Sequence, residues 1–386
     1  MHCLVDGRPQ TSSWASDRER ELRREAESWG APEDISQVPV SDQVPVVDLG
    51  AFLRGEPDST ATVVEHLRFA CEYIGFYHLS GCETLVGRDL LDETFRAALL
   101  YFGRPEALKL REELDDLRAD VQPKGTGYLP VGAKKAPERA KGNLVESFLL
   151  SNHAEALWLT KQQKLSSSVA SEGVDVKVSP PPPLPWPQDL GEWWQQTVLQ
   201  YVSSLRSLAG CLVPLLAMAL GMPSDYFSKA MEAPGPLWRL RMSRYPAVTP
   251  EKGQYGLAPH VDSSLLTILA SREASSEDSG LAFHSEYLGG WVRPPLRTGM
   301  LLVNSGEWLR GLTNDTWPSA RHYVTNPSHC NERWSLACFI SPSPGALMGV
   351  AASCVSPERP AKYRLTCVAE SLGRSRGGRA LLAPAD

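Results

Sequence analysis

The chain has 386 residues, 42% of them hydrophobic and 22% charged, with a formal net charge of −6. That is enough apolar material for a large core, in one large domain or about two to three smaller ones. The acidic excess is mild and no basic stripe or lysine-arginine block occurs, which excludes nucleic acid as an expected partner.

Residues 1–43 read as a polar leader, whose mixed-charge run over 17–27 can make a solvated helix but is poor core material. The opening Met1-His2-Cys3-Leu4-Val5-Asp6-Gly7 lacks the apolar centre of a secretory signal, so a cytoplasmic location is expected. A short strand is predicted from Val44, then helices over 61–74 and 90–102 from their helical apolar period. The stretch 165–188 opens on a serine cluster and carries prolines at 180–183, 185 and 187, a density expected of an extended, exposed loop. Residues 193–220 predict a long helix with a bend available at Pro214. Its most apolar part, 208–222, is shorter than the ~20 residues of a membrane span and reads as a buried helix. From Leu237 onward the character changes to short β-type runs parted by Gly, Pro, Asn and Ser, at 239–245, 264–270, 280–284, 290–293, 299–304, 319–325 and 333–340. Such a series predicts a double-sheet β-roll. The organisation expected is therefore an α+β chain: leader, a largely helical supporting region over 44–235, the roll over 236–345, and a C-terminal extension over 346–386. Eight cysteines, none in C-x-x-C spacing, are expected as free thiols, several of them small core residues.

The chemistry concentrates in the roll. His260-Val261-Asp262 is followed by His322, and two imidazoles with one carboxylate on one face of a metal are what a non-haem iron(II) oxygenase needs, because the opposite positions stay open. Strand alternation would aim His260 and Asp262 the same way. The same rule puts Arg333 and Ser335 on one face, a guanidinium fork and a hydroxyl suited to a carboxylate. About four predicted strands lie between Asp262 and His322, enough for a roll to travel round and bring them together.

These residues resemble the isopenicillin N synthase-like branch of the 2-oxoglutarate and iron(II)-dependent dioxygenases, over about residues 44 to 345. Val44-Pro45-Val46-Val47-Asp48-Leu49 and Gly75-Phe76-Tyr77-His78-Leu79 look like its N-terminal signature segments, with Gly125-Thr126-Gly127-Tyr128 and Glu146-Ser147-Phe148 as weaker features. Leu240-Arg241-Met242-Ser243-Arg244-Tyr245-Pro246 resembles the segment before the metal strand, and the strongest block is Gly256-Leu257-Ala258-Pro259-His260-Val261-Asp262-Ser263-Ser264-Leu265-Leu266-Thr267-Ile268-Leu269. Gly289-Gly290-Trp291-Val292, Gly299-Met300-Leu301-Leu302-Val303-Asn304 and Gly306-Glu307 continue the match in order.

The resemblance implies a distorted double-stranded β-helix (jelly roll) core flanked by helices, with Fe(II) on His260, Asp262 and His322 and 2-oxoglutarate as co-substrate. It gives Arg333, Ser335 and Tyr245 the distal carboxylate of 2-oxoglutarate, and ascorbate enters as a candidate reductant. Ser243 stands where many plant relatives have Asn, and its hydroxyl reaches less far than an amide. His284 and His329 fall on no matched position. The implied reaction hydroxylates or desaturates a small organic molecule and releases succinate and CO2; Trp308, Leu309 and Phe339 are apolar candidates for holding it. The expected partners are that substrate and O2, with no membrane and no obligate protein partner. Two other readings share the residues: an iron(II) oxidase of the isopenicillin N synthase or aminocyclopropane carboxylate oxidase type that does not use 2-oxoglutarate, and a catalytically silent binding protein on the same fold.

Overall fold

A computed structural model describes residues 30–32, 34–114, 125–133, 141–172, 179–273, 280–325 and 332–372, with Leu382 and Ala385. Most of the leader, together with Cys3, His329 and Cys330, lies outside the described residues.

The strands are β1 (Val46–Asp48), β2 (Phe76–Ser80), β3 (Gly127–Leu129), β4 (Glu146–Ser151), β5 (Leu237–Tyr245), β6 (Leu257–His260), β7 (Leu266–Glu273), β8 (Leu281–Ser285), β9 (Gly290–Val292), β10 (Leu301–Ser305), β11 (His322–Val324) and β12 (Arg333–Ser341). Eight form the larger sheet in the order β1-β2-β10-β7-β12-β5-β4-β3, and four form the smaller one, β6-β11-β8-β9. This is the expected two-sheet roll, with one difference: β1 to β4, from the region expected to be mainly helical, complete the larger sheet. A further short pair, Leu347–Met348 with Thr366–Cys367, lies in the C-terminal extension.

Alternation along β5 and β12 separates two environments. Leu240, Met242, Trp334, Leu336, Cys338 and Ile340 enter the main core, while Arg241, Ser243, Tyr245, Arg333, Ser335, Ala337 and Phe339 face a cavity between the sheets. The core side is covered by α1 (Ser59–Phe69), α2 (Arg88–Phe102) and α4 (Gly191–Ala219), with α3 (His153–Glu172) preceding the last of these. Helix α4 runs through Pro214 without interruption. Its length and apolarity alone would suffice for a membrane span, but Trp194, Tyr201, Leu205, Leu212 and Leu216 are buried against the other helices and the sheet. Trp194 Nε1 donates to Ala97 O at 2.8 Å, satisfying the polar edge of a fully buried ring.

Two sequence expectations need correction. The loop expected from 165 begins only after α3 ends at Glu172, because the serine run contains no helix breaker and the prolines start at 180. The proline segment is also not simply exposed: Leu184 and Trp186 pack on the main core, and Trp186 meets Trp194 edge-on with ring centroids 6.1 Å apart. The six cysteines among the described residues are free thiols, as expected, with Cys71, Cys82 and Cys338 buried.

Candidate active site

His260 is the last residue of β6 and His322 the first of β11, and the antiparallel register sets them directly opposite each other. That cross-strand pairing brings together residues far apart in sequence, with ring centroids 4.3 Å apart. Asp262 does not share a strand with His260, contrary to the alternation argument, because β6 ends at His260. The chain beyond is held instead by the start of helix α5 (Glu307–Leu312): Glu307 N donates to Asp262 O at 2.8 Å and Gly306 N to Leu265 O at 3.1 Å. Gly306 permits this approach, since a Cβ there would lie 2.0 Å from Ser264 O.

The result is a compact donor set. Asp262 Oδ1 lies 3.6 Å from His260 Nε2 and 3.7 Å from His322 Nε2, and ligand atoms of all three residues fall within 4.8 Å of one another. Donors each about 2 Å from a common ion sit roughly 3–4 Å apart, so the set fits a single small cation. His260 Nδ1 contacts Ala258 O at 2.9 Å and His322 Nδ1 contacts Ala320 O at 3.0 Å. With each Nδ1–H donating to its carbonyl, both Nε2 lone pairs turn toward the centre. Asp262 Oδ2 accepts from Thr267 Oγ1 at 2.7 Å and Asn304 Nδ2 at 2.9 Å, which leaves Oδ1 for the centre. The electrostatics agree: burial and the adjacent His322 hold the His260 imidazole well below its usual range. Burial would raise the Asp262 carboxyl, but His322, His260 and the two hydrogen bonds more than offset it and hold the group ionised. His260 is 31% exposed, whereas His322 and Asp262 are 9% and 4% exposed, so the set opens on the His260 side.

The expected anion clamp lines the same cavity. Arg333 lies opposite Tyr245 across the β12–β5 register, and its guanidinium sits 4.8 Å from the Tyr245 ring centre. Arg333 Nη2 donates to Ser271 Oγ at 3.1 Å. Arg333, Ser335 and Tyr245 are 2%, 4% and 3% exposed. Ser243 sits 3.1 Å from Ser147, hydroxyl to hydroxyl. Of the apolar candidates, Phe339 lines the cavity, but Trp308 and Leu309 do not: helix α5 turns both into the main core. His284 stands apart from the donors and packs edge-on against Trp291, ring centroids 5.5 Å apart.

Two family models match the chain: the 2OG-Fe(II) oxygenase superfamily over residues 237–342, and the N-terminal domain described for a non-haem dioxygenase in morphine synthesis over residues 44–168. The chain belongs to the 2-oxoglutarate/Fe(II)-dependent dioxygenase superfamily. Among its relatives is a 2-oxoglutarate-Fe(II) type oxidoreductase of Emericella nidulans, hxnY, 24% identical over 83% of this chain and 85% of that protein. An oxoglutarate-dependent flavonoid 7-O-demethylase of Ocimum basilicum is 28% identical over 86% of this chain and 78% of that one. The fold matches that of a putative 2OG-Fe(II) oxygenase family protein from Caulobacter crescentus (TM-score 0.66, 20% identity, 86% of this chain and 98% of that chain).

Sequence reasoning about this dioxygenase missed three polar cavity residues. Thr267 and Asn304 stand inside the matched blocks, but only the fold reveals that both hold Asp262. Arg241 also faces the cavity and donates from Nε to Ser147 Oγ at 3.0 Å; its place on the Tyr245 face of β5 was the available signal.

Proposed function

We propose that His260, Asp262 and His322 hold Fe(II), and that Arg333, Ser335 and Tyr245 hold the distal carboxylate of 2-oxoglutarate, in an enzyme that oxidises a small organic molecule. The observation that carries this reading is the single cavity: a two-histidine, one-carboxylate donor set and a buried guanidinium–hydroxyl pair line the same space. Bound iron with 2-oxoglutarate and O2 supplies the oxidising power; one O2 and one 2-oxoglutarate convert a substrate C–H to C–OH with release of succinate and CO2. The protein's own part is positional. Ala258 O and Ala320 O fix both imidazoles in the tautomer that presents Nε2, while Thr267 and Asn304 fix the carboxylate. Arg333 supplies a planar two-pronged contact for a carboxylate, and the Tyr245 ring and Ser271 keep that plane in place. Phe76, stacked on Phe283 with centroids 4.4 Å apart and edge-on to His322, forms an apolar wall that limits water at the reacting centre.

The oxidase reading is not favoured, since the family models and the named relatives point to 2-oxoglutarate as co-substrate. The test is an assay of succinate formation from 2-oxoglutarate with Fe(II) and O2, coupled to a mass-spectrometric screen of metabolite extracts for a product gaining one oxygen or losing two hydrogens. Succinate formation that depends on both Fe(II) and 2-oxoglutarate is expected. Substrate consumption that proceeds without 2-oxoglutarate would install the oxidase reading instead.

A further inference from the structure

Strand β5 carries two arginines on its cavity face, two residues apart. Arg241 lines the cavity beside the metal donors, and Arg239 lies one step farther along the same face, opposite Phe339, which is itself a cavity wall. Among the described residues, neither is paired with a carboxylate. The hydrogen bond made by Arg241 goes to the neutral Ser147 hydroxyl, and the buried Nε of Arg239 has no hydrogen-bond partner among those residues. Three other sheltered arginines are each paired with two carboxylates: Arg104 with Glu112 and Asp189, Arg244 with Glu146 and Glu332, and Arg310 with Glu307 and Asp315. A guanidinium withdrawn from water without an anion is costly, and two of them side by side add mutual repulsion. An incoming anion relieves both costs at once.

We propose that the prime substrate is an organic acid, and that its carboxylate is held by Arg241 and Arg239. This deepens the proposed function and rests on it for the position of the reacting centre. Same-face neighbours on a strand stand about 7 Å apart, so two arginine stems can converge on one carboxylate between them. Burial and the neighbouring guanidinium hold the Arg239 side chain below its ordinary value, and burial does the same for Arg241, as expected for cations awaiting a counter-charge. Arg241 lines the same cavity as His260, Asp262 and His322, which places the acid-binding end and the metal donors in one chamber. The competing role for Arg241, neutralising the metal-proximal carboxylate of 2-oxoglutarate, makes an opposite prediction about which ligand is lost on substitution.

The probe is a graded series of ω-(4-fluorophenyl)alkanoic acids, each beside its primary amide, with binding read by fluorine NMR line broadening on protein loaded with Zn(II) and 2-oxoglutarate. The expected result is at least one acid binding about tenfold or more tighter than its amide, a difference of about 1.4 kcal/mol. Arg241→Gln removes that preference, Arg239→Gln weakens it, Arg241→Lys keeps part of it, and 2-oxoglutarate affinity stays within about twofold in all three. Acid and amide binding alike, no binding of either, a preference unchanged by Arg241→Gln or Arg239→Gln, or a collapse of 2-oxoglutarate affinity in Arg241→Gln overturns the proposal. Failure of the wild-type protein to bind 2-oxoglutarate is a separate result, and it strikes the proposed function instead.

Discussion

Asp262 shows how much of the proposed metal site depends on residues that never touch the metal. One carboxylate oxygen is taken by Thr267 and Asn304, so the other has a single direction left, toward the two Nε2 atoms. We expect Asn304→Ala or Thr267→Ala to weaken Fe(II) binding about 10–100-fold without removing a ligand, the usual cost of losing an outer partner. A Co(II) or Fe(II) titration of each variant checks this, and an unchanged affinity in both would mean that the hydrogen bonds do not orient Asp262. For the clamp, Arg333→Ala is expected to cost ~2–5 kcal/mol in 2-oxoglutarate binding, roughly 30- to 5000-fold. Arg333→Lys should recover only part, because an ammonium cannot reproduce the planar fork. An affinity equal to wild type in Arg333→Ala would assign the clamp to the prime substrate. The residues of the proposed donor set and clamp, His260, Asp262, His322, Arg333 and Ser335, stood out in the sequence because each is chemically conspicuous at its spacing. Thr267 and Asn304 were not, since a threonine and an asparagine on strands look the same whether they face a ligand or a loop.

At the scale of elements, the least legible strand is also one of the most consequential. Strand β4 carries Glu146, whose Oε2 accepts from Lys109 Nζ and Tyr128 OH, both at 2.6 Å, while Oε1 accepts from Arg244 at 2.7 Å. These contacts tie β3 and the segment before it to β5, and Glu146 and Lys109 are 2% and 5% exposed. Removing the carboxylate strands a buried ammonium, so Glu146→Ala should destabilise the protein by about 3–5 kcal/mol in a denaturant titration. A loss below about 1 kcal/mol would show that Lys109 finds other partners. The pH dependence has a definite sign. Burial alone would raise the Glu146 carboxyl, but hydrogen bonds from Lys109, Tyr128 and Arg244 hold it below the ordinary value of 4.5. A lowered folded pKa means stability that is present above the unfolded pKa and lost as pH falls through the folded one. Wild type should therefore lose stability more steeply than Glu146→Gln below about pH 4.5, and parallel acid limbs would contradict this. From 237 to 341 most strands were readable from their turn punctuation, but β6 at Leu257–His260 fell in none of the predicted runs, and β4 was not readable because all six of its residues are buried and no polar–apolar alternation marks it.

At the scale of the molecule, the larger sheet separates two jobs. One face of β5 and β12 is packed under α2, α3 and α4, which fixes the strands, and the other faces the cavity, where the odd-numbered residues of 241–245 and 333–339 are placed. The rigidity of the first face is what allows the second to hold polar groups at fixed distances. The roll itself was legible as a series of short strands, but the completion of its larger sheet by β1 to β4 was not, since pairing across such sequence separations leaves no local signal. The most direct measurement is an anaerobic titration of Fe(II)-loaded protein with 2-oxoglutarate, followed by visible absorption. A weak charge-transfer band saturating at one equivalent, present in wild type and absent in His260→Ala, Asp262→Ala and His322→Ala, is the expected result. No band in wild type, or the same band in all three variants, would contradict the assignment of iron and co-substrate to this cavity.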